Sequence, residues 1–340
     1  MVAPQTRPRF PVPVALNLAV TAAVCTAGRP ESLERTLRSL LAQDPAPGEI
    51  LVVNNRPDQP ATAELLRREF PTVRVIDESI PGLDFARNRA LEASHHDVVL
   101  FLDDDAVAEP GWVAAASALL LEDSGIGACT GRVEALELAT EAQNLFEANG
   151  GFSRGTAPIR LPRDSAQPLH GHRAPLIAWA VSVGSGCSLA VNRNLVRALG
   201  GFDVALDLGP ALPGGGDHDM LWRLLVAGYD VVYQPAAVAR HEHRRELTAA
   251  RDQIVGHQRA LIAMLTKHTV RTPGRRRWGV AAFLGWRLLK PGVRLARRLV
   301  GRDPLPAGLL LRMWAHCWYG LVAYPRAVRI AARRAATESA

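Results

Sequence analysis

Residues Asp97 to Val107 read Asp-Val-Val-Leu-Phe-Leu-Asp-Asp-Asp-Ala-Val, and no other stretch restricts the fold as much. Val98 to Leu102 is a short, continuous apolar run, the pattern of a strand buried on both faces of a parallel sheet. It ends in Asp103, Asp104 and Asp105, three adjacent carboxylates that repel one another and are costly at a buried strand end unless positive charge compensates them. A divalent cation such as Mg2+ or Mn2+ does so through hard carboxylate oxygens, and Mg2+ keeps positions open for substrate phosphates. A solvated acidic turn reads from the same residues. The C-terminal end of a strand, where open α/β sheets bind ligands, favours the metal.

The chain around this run alternates between strand-like and helix-like periods. Upstream, residues 15–25 and 49–53 read as strands, the second closed by Asn54-Asn55, and 73–76 as a third. Between them, Leu33, Leu37, Leu40 and Leu41 form a helical stripe over 31–43, and 62–69 and 85–93 are also helical. Short links between alternating elements predict a doubly wound α/β sheet. Downstream, the patterns predict helices over 112–121, 134–149, 193–199 and 217–227, and strands over 127–133, 180–191 and 230–233. Residues 150–175, rich in Gly, Pro, Arg and His, predict a long functional loop. A Pro-rich, disordered lead-in is expected over residues 1–17.

A chain of 340 residues has room for one large domain or two smaller ones, and its formal net charge of +7 is unevenly spread. Fifteen of the forty Lys and Arg residues lie between Arg271 and Ala340, where the only acids are Asp303 and Glu338; the rest of the chain is net acidic. Cys25, Cys129, Cys187 and Cys317 are far apart with no Cys-x-x-Cys spacing, which predicts buried free thiols and neither disulfides nor zinc ligands. The opening residues hold no sustained apolar segment of a secretory leader, so a cytoplasmic location is the expectation.

Five motifs stand in one order. They are Cys25-Thr26-Ala27-Gly28-Arg29-Pro30 with Ser39-Leu40-Leu41-Ala42-Gln43; Glu49-Ile50-Leu51-Val52-Val53-Asn54-Asn55; Pro81-Gly82-Leu83-Asp84-Phe85-Ala86-Arg87-Asn88-Arg89-Ala90; Asp103-Asp104-Asp105; and Gly200-Gly201-Phe202-Asp203 with Gly216-Asp217-His218-Asp219-Met220-Leu221-Trp222-Arg223-Leu224. Each is weak alone. As an ordered set, over about residues 18 to 250, they resemble family 2 glycosyltransferases.

The resemblance implies a GT-A fold, an α/β Rossmann-like mixed sheet flanked by helices, followed here by a C-terminal basic helical region. It implies a nucleotide-sugar-binding half over 18–130, an acceptor-binding half over 131–265 and a tail over 266–340. It also implies an enzyme that moves a sugar from a nucleoside diphosphate sugar to a hydroxyl of a glycan or lipid-linked acceptor, inverting the anomeric centre, in cell-envelope or lipid-linked glycan synthesis. Mn2+ or Mg2+ would neutralise the leaving diphosphate. By the same resemblance Asp103 faces ribose and metal, and Asp105 binds the metal. His241 is a third ligand, with His243 on the same strand face able to serve instead; exposed histidines at a polar strand end are the alternative.

An acceptor hydroxyl has a pKa far above 7 and needs a general base. Asp217 matches the family's base, and its place after three glycines also reads as a helix N-cap. Asp219 is expected to hold the acceptor or support the loop. Thr26, Arg29, Asn54, Arg87 and Asp104 are the remaining expected donor contacts, although Arg87 reads equally as part of a solvated helix face. Trp179 or Trp222 can stack on a sugar or sit in the core. Two departures from the family stand out. Asn54 replaces an Asp that commonly pairs with uracil, and Gly216-Asp217 replaces a Glu-Asp pair.

A phosphatase of the haloacid-dehalogenase kind also places a DxD after a strand, but that chemistry needs an intervening lysine, and the first lysine here is Lys267. A non-catalytic nucleotide-sugar-binding or membrane-associated scaffold is the remaining alternative, encouraged by Asn54 and Gly216. The basic tail mixes Trp278, Trp286, Trp314, Trp318 and Tyr319 with spaced Arg, and polar residues interrupt every apolar run. That pattern predicts amphipathic helices on an anionic membrane surface, with a helical cap or dimer interface as the alternative. No motif for nucleic acid accompanies the charge.

Overall fold

The computed structural model describes residues 18–338, and the lead-in expected over residues 1–17 lies outside them. Four parallel strands begin the chain: β1 (Leu18–Thr26), β2 (Pro47–Asn54), β3 (Arg74–Asp77) and β4 (Val98–Leu102). Between them lie α1 (Pro30–Leu41), α2 (Pro60–Glu69) and α3 (Leu83–Ala93). Next come β5 (Ala106–Ala108), α4 (Trp112–Glu122), β6 (Ile126–Ala135), α5 (Glu141–Ala148), β7 (Ile159–Leu161), α6 (Leu176–Val183) and β8 (Ser188–Asn192). The chain continues through α7 (Arg193–Ala198), α8 (Gly216–Ala227) and β9 (Asp230–His241). It closes with α9 (Leu247–Arg271), α10 (Arg276–Leu299) and α11 (Ala307–Glu338).

The sheet order is β3-β2-β1-β4-β8-β6-β9-β5, with β7 added on β9. Because β8 runs antiparallel to both β4 and β6, the sheet is mixed, as the GT-A expectation requires. The apolar run of β4 is buried at all five positions. Val98, Leu100 and Leu102 face a core that includes Leu33, Leu37 and Leu40 of α1, whereas Val99 and Phe101 face the core beneath α3, α6 and α8. Two-sided burial is the reason this strand has no polar alternation.

Three local expectations are corrected. Residues 134–149 are not one helix: β6 runs to Ala135, and α5 starts at Glu141, where Thr140 and Gln143 form a capping box. Residues 180–191 are not one strand. Apolar residues through Val183 finish α6, and Gly184 and Gly186 break the chain before β8, an ambiguity inherent in a short apolar run. The strand expected over 230–233 is longer: β9 runs on to His241, which stands at its end.

The C-terminal helices pack on the domain. The boundary expected at 265/266 falls inside α9, whose Lys267 and His268 are buried. Gly320 of α11 lets that helix approach α9 closely; a Cβ there would lie 2.7 Å from the Cβ of Ile262. Tyr324 of α11 donates to Asp203 at 2.7 Å, tying the last helix to the Gly200–Asp203 turn. Among the described residues no helix is long and apolar enough to cross a membrane.

Candidate active site

A single cavity of about 840 Å³ runs from the C-terminal ends of β1 and β4 to the inner faces of α9 and α10. At its sheet end stand Cys25, Arg29 and the three aspartates. The half-buried Asp103 and the buried Asp105 each offer an oxygen, and with a ring nitrogen of the buried His241 these atoms lie within 4.8 Å of one another. Strand register produces this: Ala106 of β5 lies opposite His241 of β9, and the Glu242 N–H donates to the Asp105 carbonyl at 2.9 Å.

The histidines settle which residue faces the acids. Glu147 Oε1 lies 2.7 Å from His243 Nε2, and His243 Nδ1 lies 2.9 Å from His241 Nδ1. A carboxylate only accepts, so a neutral His243 carries its proton on Nε2 and accepts at Nδ1, and a neutral His241 carries its proton on Nδ1. His241 Nε2 is then a bare lone pair 3.3 Å from Asp105 Oδ1. Two acceptors so placed repel unless a cation lies between them, and the oxygen-and-imidazole donor set suits a divalent ion. His243 is turned to Glu147 and stands behind His241, so of the two it is His241 that faces the acids.

Positive charge already leans on the triad. Arg29 pairs with Asp105 and, at 2.6 Å, with Asp104. Burial works against charge on Asp105, but a His241 ring that carries a proton toward it when no metal lies between them, together with Arg29, outweighs burial and holds its carboxyl well below the usual range. Burial and the neighbouring Asp105 instead raise Asp103. Asp104 is 1% exposed, lines the cavity and accepts from Thr26 Oγ1 at 2.7 Å, so the pair braces the triad. Asn54 is also turned away: its amide donates to Asp77 and its oxygen accepts from the Arg56 N–H. The Cys25 thiol, expected to be buried, is half-buried and lines the cavity.

Across the cavity stands Asp217, in the first turn of α8. The cap position belongs to Gly215, so the N-cap reading fails; Asp217 instead accepts from the backbone N–H groups of Gly186 and His218, both at 2.7 Å. Gly186 belongs to the turn that enters β8, and the Asp103 N–H donates to the carbonyl of the adjacent Cys187 at 3.3 Å. One turn therefore sets the separation between the metal triad and Asp217. A Cβ on Gly186 would lie 2.4 Å from Arg87, which is why glycine stands there.

Arg87 is 3% exposed, so the solvated reading fails. It bonds Asp84 at 3.0 Å and lies 3.7 Å from Asp207, while Asp217 feels its charge. One guanidinium cannot compensate three buried carboxylates. Burial and Asp207 raise Asp84 well above the usual range, and burial, against the pull of Arg87, raises Asp207 to about 6. Burial alone would raise Asp217 too, but His218, Arg87 and its two backbone donors together lower it. Of the three, Asp217 is the carboxyl held below its ordinary range.

The missing acid at 216 now has a physical reason. A Cβ on Gly216 would lie 1.9 Å from Asp84 Oδ2 and 2.7 Å from Asp207 Oδ2, so these carboxylates fill the space a side chain at 216 would enter. Asp84 sat inside a quoted motif and Asp207 in a loop; neither carried a local signal of this role.

Asp219 is not a substrate contact. It is fully buried and pairs with Arg223, Lys267 and His268, behind the helix face that carries Asp217. Positions two apart on a helix do not share a face. The ion cluster instead clamps α8 to α9, and removing one member of such a buried group typically costs about 3–5 kcal/mol. Trp222 is buried and donates to Thr272 at 3.0 Å; Trp179 lines the cavity with a buried, unpartnered indole N–H.

A mixed α/β sheet with an Asp-Asp-His triad at its switch point and a carboxylate of lowered pKa on the same cavity fits a glycosyltransferase domain of the GT-A class. The chain belongs to the glycosyltransferase like family 2, whose profile matches residues 17–255. It is 29% identical over 215 residues to the pre-mycofactocin glycosyltransferase of Mycobacterium tuberculosis, covering 62% of this chain and 41% of that protein. It is 29% identical over 233 residues to the succinoglycan biosynthesis protein ExoM of Rhizobium meliloti, covering 65% and 66%. The chain thus spans less than two thirds of either relative. In fold it is similar to the mannosyltransferase PcManGT of Pyrobaculum calidifontis, solved with GDP-Man and Mn2+, at a TM-score of 0.56 and 19% identity over 91% of this chain and 86% of that one. The structure of GalNAc-T7 with UDP, GalNAc and Mn2+ is similar at a TM-score of 0.50 and 13% identity over 87% and 59%.

Proposed function

We propose that this protein transfers a sugar from a nucleoside diphosphate sugar to an acceptor hydroxyl, with inversion, using Asp217 as the base. The observation that carries the reading is the ionised Asp217 facing, across one cavity, a triad whose His241 nitrogen and Asp105 oxygen need a cation between them. Asp103, Asp105 and His241 would hold Mn2+ or Mg2+, which when bound neutralises charge on the leaving diphosphate. Arg29 adds a second positive charge at that end, and Arg87 keeps Asp217 ionised. The acceptor oxygen bonds to the anomeric carbon, its proton passes to the Asp217 carboxylate, and the carbon–oxygen bond to the diphosphate breaks with its electron pair on the diphosphate. Attack from the face opposite the leaving group inverts the centre. The envelope-glycan role rests on the similarity to a succinoglycan biosynthesis protein.

A thermal-shift screen of UDP, GDP, ADP, CDP and dTDP tests the donor site. One nucleotide is expected to stabilise the protein by several degrees with Mn2+ and far less without it, since a ligand at about 100 times its Kd contributes roughly 2.7 kcal/mol. Asp105→Asn should abolish the metal-dependent part. If no nucleotide gives a shift, the donor reading fails.

The same reading makes the C-terminal helices a peripheral contact for an anionic membrane. Trp278, Trp286 and Leu289 of α10 and Trp318 and Val322 of α11 are each about half or more exposed, among arginines. Co-sedimentation with phosphatidylglycerol vesicles, and none with phosphatidylcholine vesicles, is the expected result; equal recovery with both would remove this part.

A further inference from the structure

The cavity has a second charged end, far from the aspartates in the fold. It is walled by α10, which presents Arg287, Lys290 and Arg294 at the three- and four-residue spacing of one helix face, with Gln258 of α9 beside them. Arg294 is neutralised: it holds Asp303 through two bonds at 2.7 and 3.0 Å and reaches Asn149 at 2.8 Å. The other two are not. Arg287 gives one N–H to the Gln258 amide oxygen at 2.6 Å, and its buried Nε has no partner. Lys290 has neither hydrogen bond nor ion pair among the described residues. Burial lowers the Arg287 guanidinium to about 10, and burial with the neighbouring arginines lowers the Lys290 ammonium to about 8. Two uncompensated cations facing the inside of a cavity are unfavourable unless an anion joins them.

The donor's diphosphate does not fill this role. Its expected place is the sheet end, where Arg29 and the triad come from β1, β4 and β9, whereas the α10 face is held by α9 and the turn after α5. Asp217 lines the same cavity, so an acceptor that reaches it shares that space with the cations of α10.

We propose that the acceptor is a phosphorylated molecule whose phosphate or diphosphate group is held by Arg287 and Lys290 while its hydroxyl lies at Asp217. This rests on the glycosyltransferase reading and narrows the acceptor to a phosphoryl-bearing class. Matching two positive charges, the group is a phosphate dianion or a diphosphate, carried either by a lipid or by a soluble glycan.

The test is isothermal titration of the full chain, in EDTA, with inorganic pyrophosphate and with decyl diphosphate. The wild type is expected to bind at least one of them without metal, and Lys290→Gln and Arg287→Gln each to weaken that binding about tenfold, the scale of one charge-assisted hydrogen bond. Lys290→Arg should retain it, and nucleotide binding with Mn2+ should be unchanged in all three variants. Decyl diphosphate binding much tighter than pyrophosphate would assign the group to a lipid; equal affinity would assign it to a soluble acceptor. Metal-free binding that is absent, or lost with Arg29→Gln and untouched by Lys290→Gln, overturns the proposal. Loss of nucleotide binding in the wild type would instead fault the glycosyltransferase reading.

Discussion

Asp217→Asn keeps the fold and the metal-dependent nucleotide shift, and lowers turnover by about 10²–10⁴-fold, the usual contribution of a positioned general base. Gly186 and His218 donate to different oxygens of Asp217, so Asn keeps one of these bonds through its single oxygen, loses the other, and takes no proton. KM for the donor should hardly move, because the lost interaction acts on the acceptor proton. The pH profile offers a second check with a definite sign. A carboxylate with a lowered pKa is active above that pKa and loses activity as the pH falls through it. The acid limb of kcat/KM should therefore lie below the ordinary aspartate value of about 3.9, provided the protein stays folded there. Unchanged turnover in Asp217→Asn would remove Asp217 as the base, and a wild type that binds nucleotide without any turnover would move the assignment to a non-catalytic nucleotide-sugar-binding scaffold.

Gly216→Glu, which recreates the acidic pair of the wider family, should be more damaging than Asp217→Asn. The new Cβ collides with the Asp84 carboxylate, and the new charge joins Asp84, Asp207 and Asp217 around a single Arg87. Overpacking of about 1–3 kcal/mol adds to the cost of an uncompensated buried charge, so a loss of roughly 4 kcal/mol or more in stability is expected, with activity. The informative comparison is the double variant. Asp84→Ser with Gly216→Glu removes the closer of the two collisions and one competing carboxylate, and should recover part of the lost melting temperature and of the turnover. A double-mutant cycle reads this as a coupling energy well above 1 kcal/mol. Additive losses would show that position 216 is glycine for some reason other than Asp84.

These two expectations rest on different kinds of information. The run Val98–Leu102 specified its own environment, because five consecutive apolar residues between short links fit only a strand covered on both faces. The acids after it, the helical stripe of α1 and the order of the motifs were enough to point to the acidic strand end and to Asp217 as candidates. Periodicity failed where apolar segments were short. The residues of α6 satisfied helix and strand patterns alike, and only packing against α8 and α10 separated the two. The sequence offered Asp217 as the base and Asp219, two residues on, as an acceptor or loop contact, and the helix assigned Asp219 to a buried ion cluster and Asp217 to the cavity.

What the sequence determined by itself, then, is everything that depends on neighbours along the chain: the strands, the acidic strand end, the candidate base and the basic character of the C-terminal helices. What only the tertiary structure decided depends on charges brought together from afar. His243 stands behind His241 because Glu147, 96 residues away, accepts its proton. Gly216 lacks a side chain because Asp84 and Asp207 occupy its space. Arg287 and Lys290 became part of the site because α10 folds back over the cavity. Electrostatic effects act through space at a few ångströms, so a linear sequence discloses the charges but not which of them will have to share a partner.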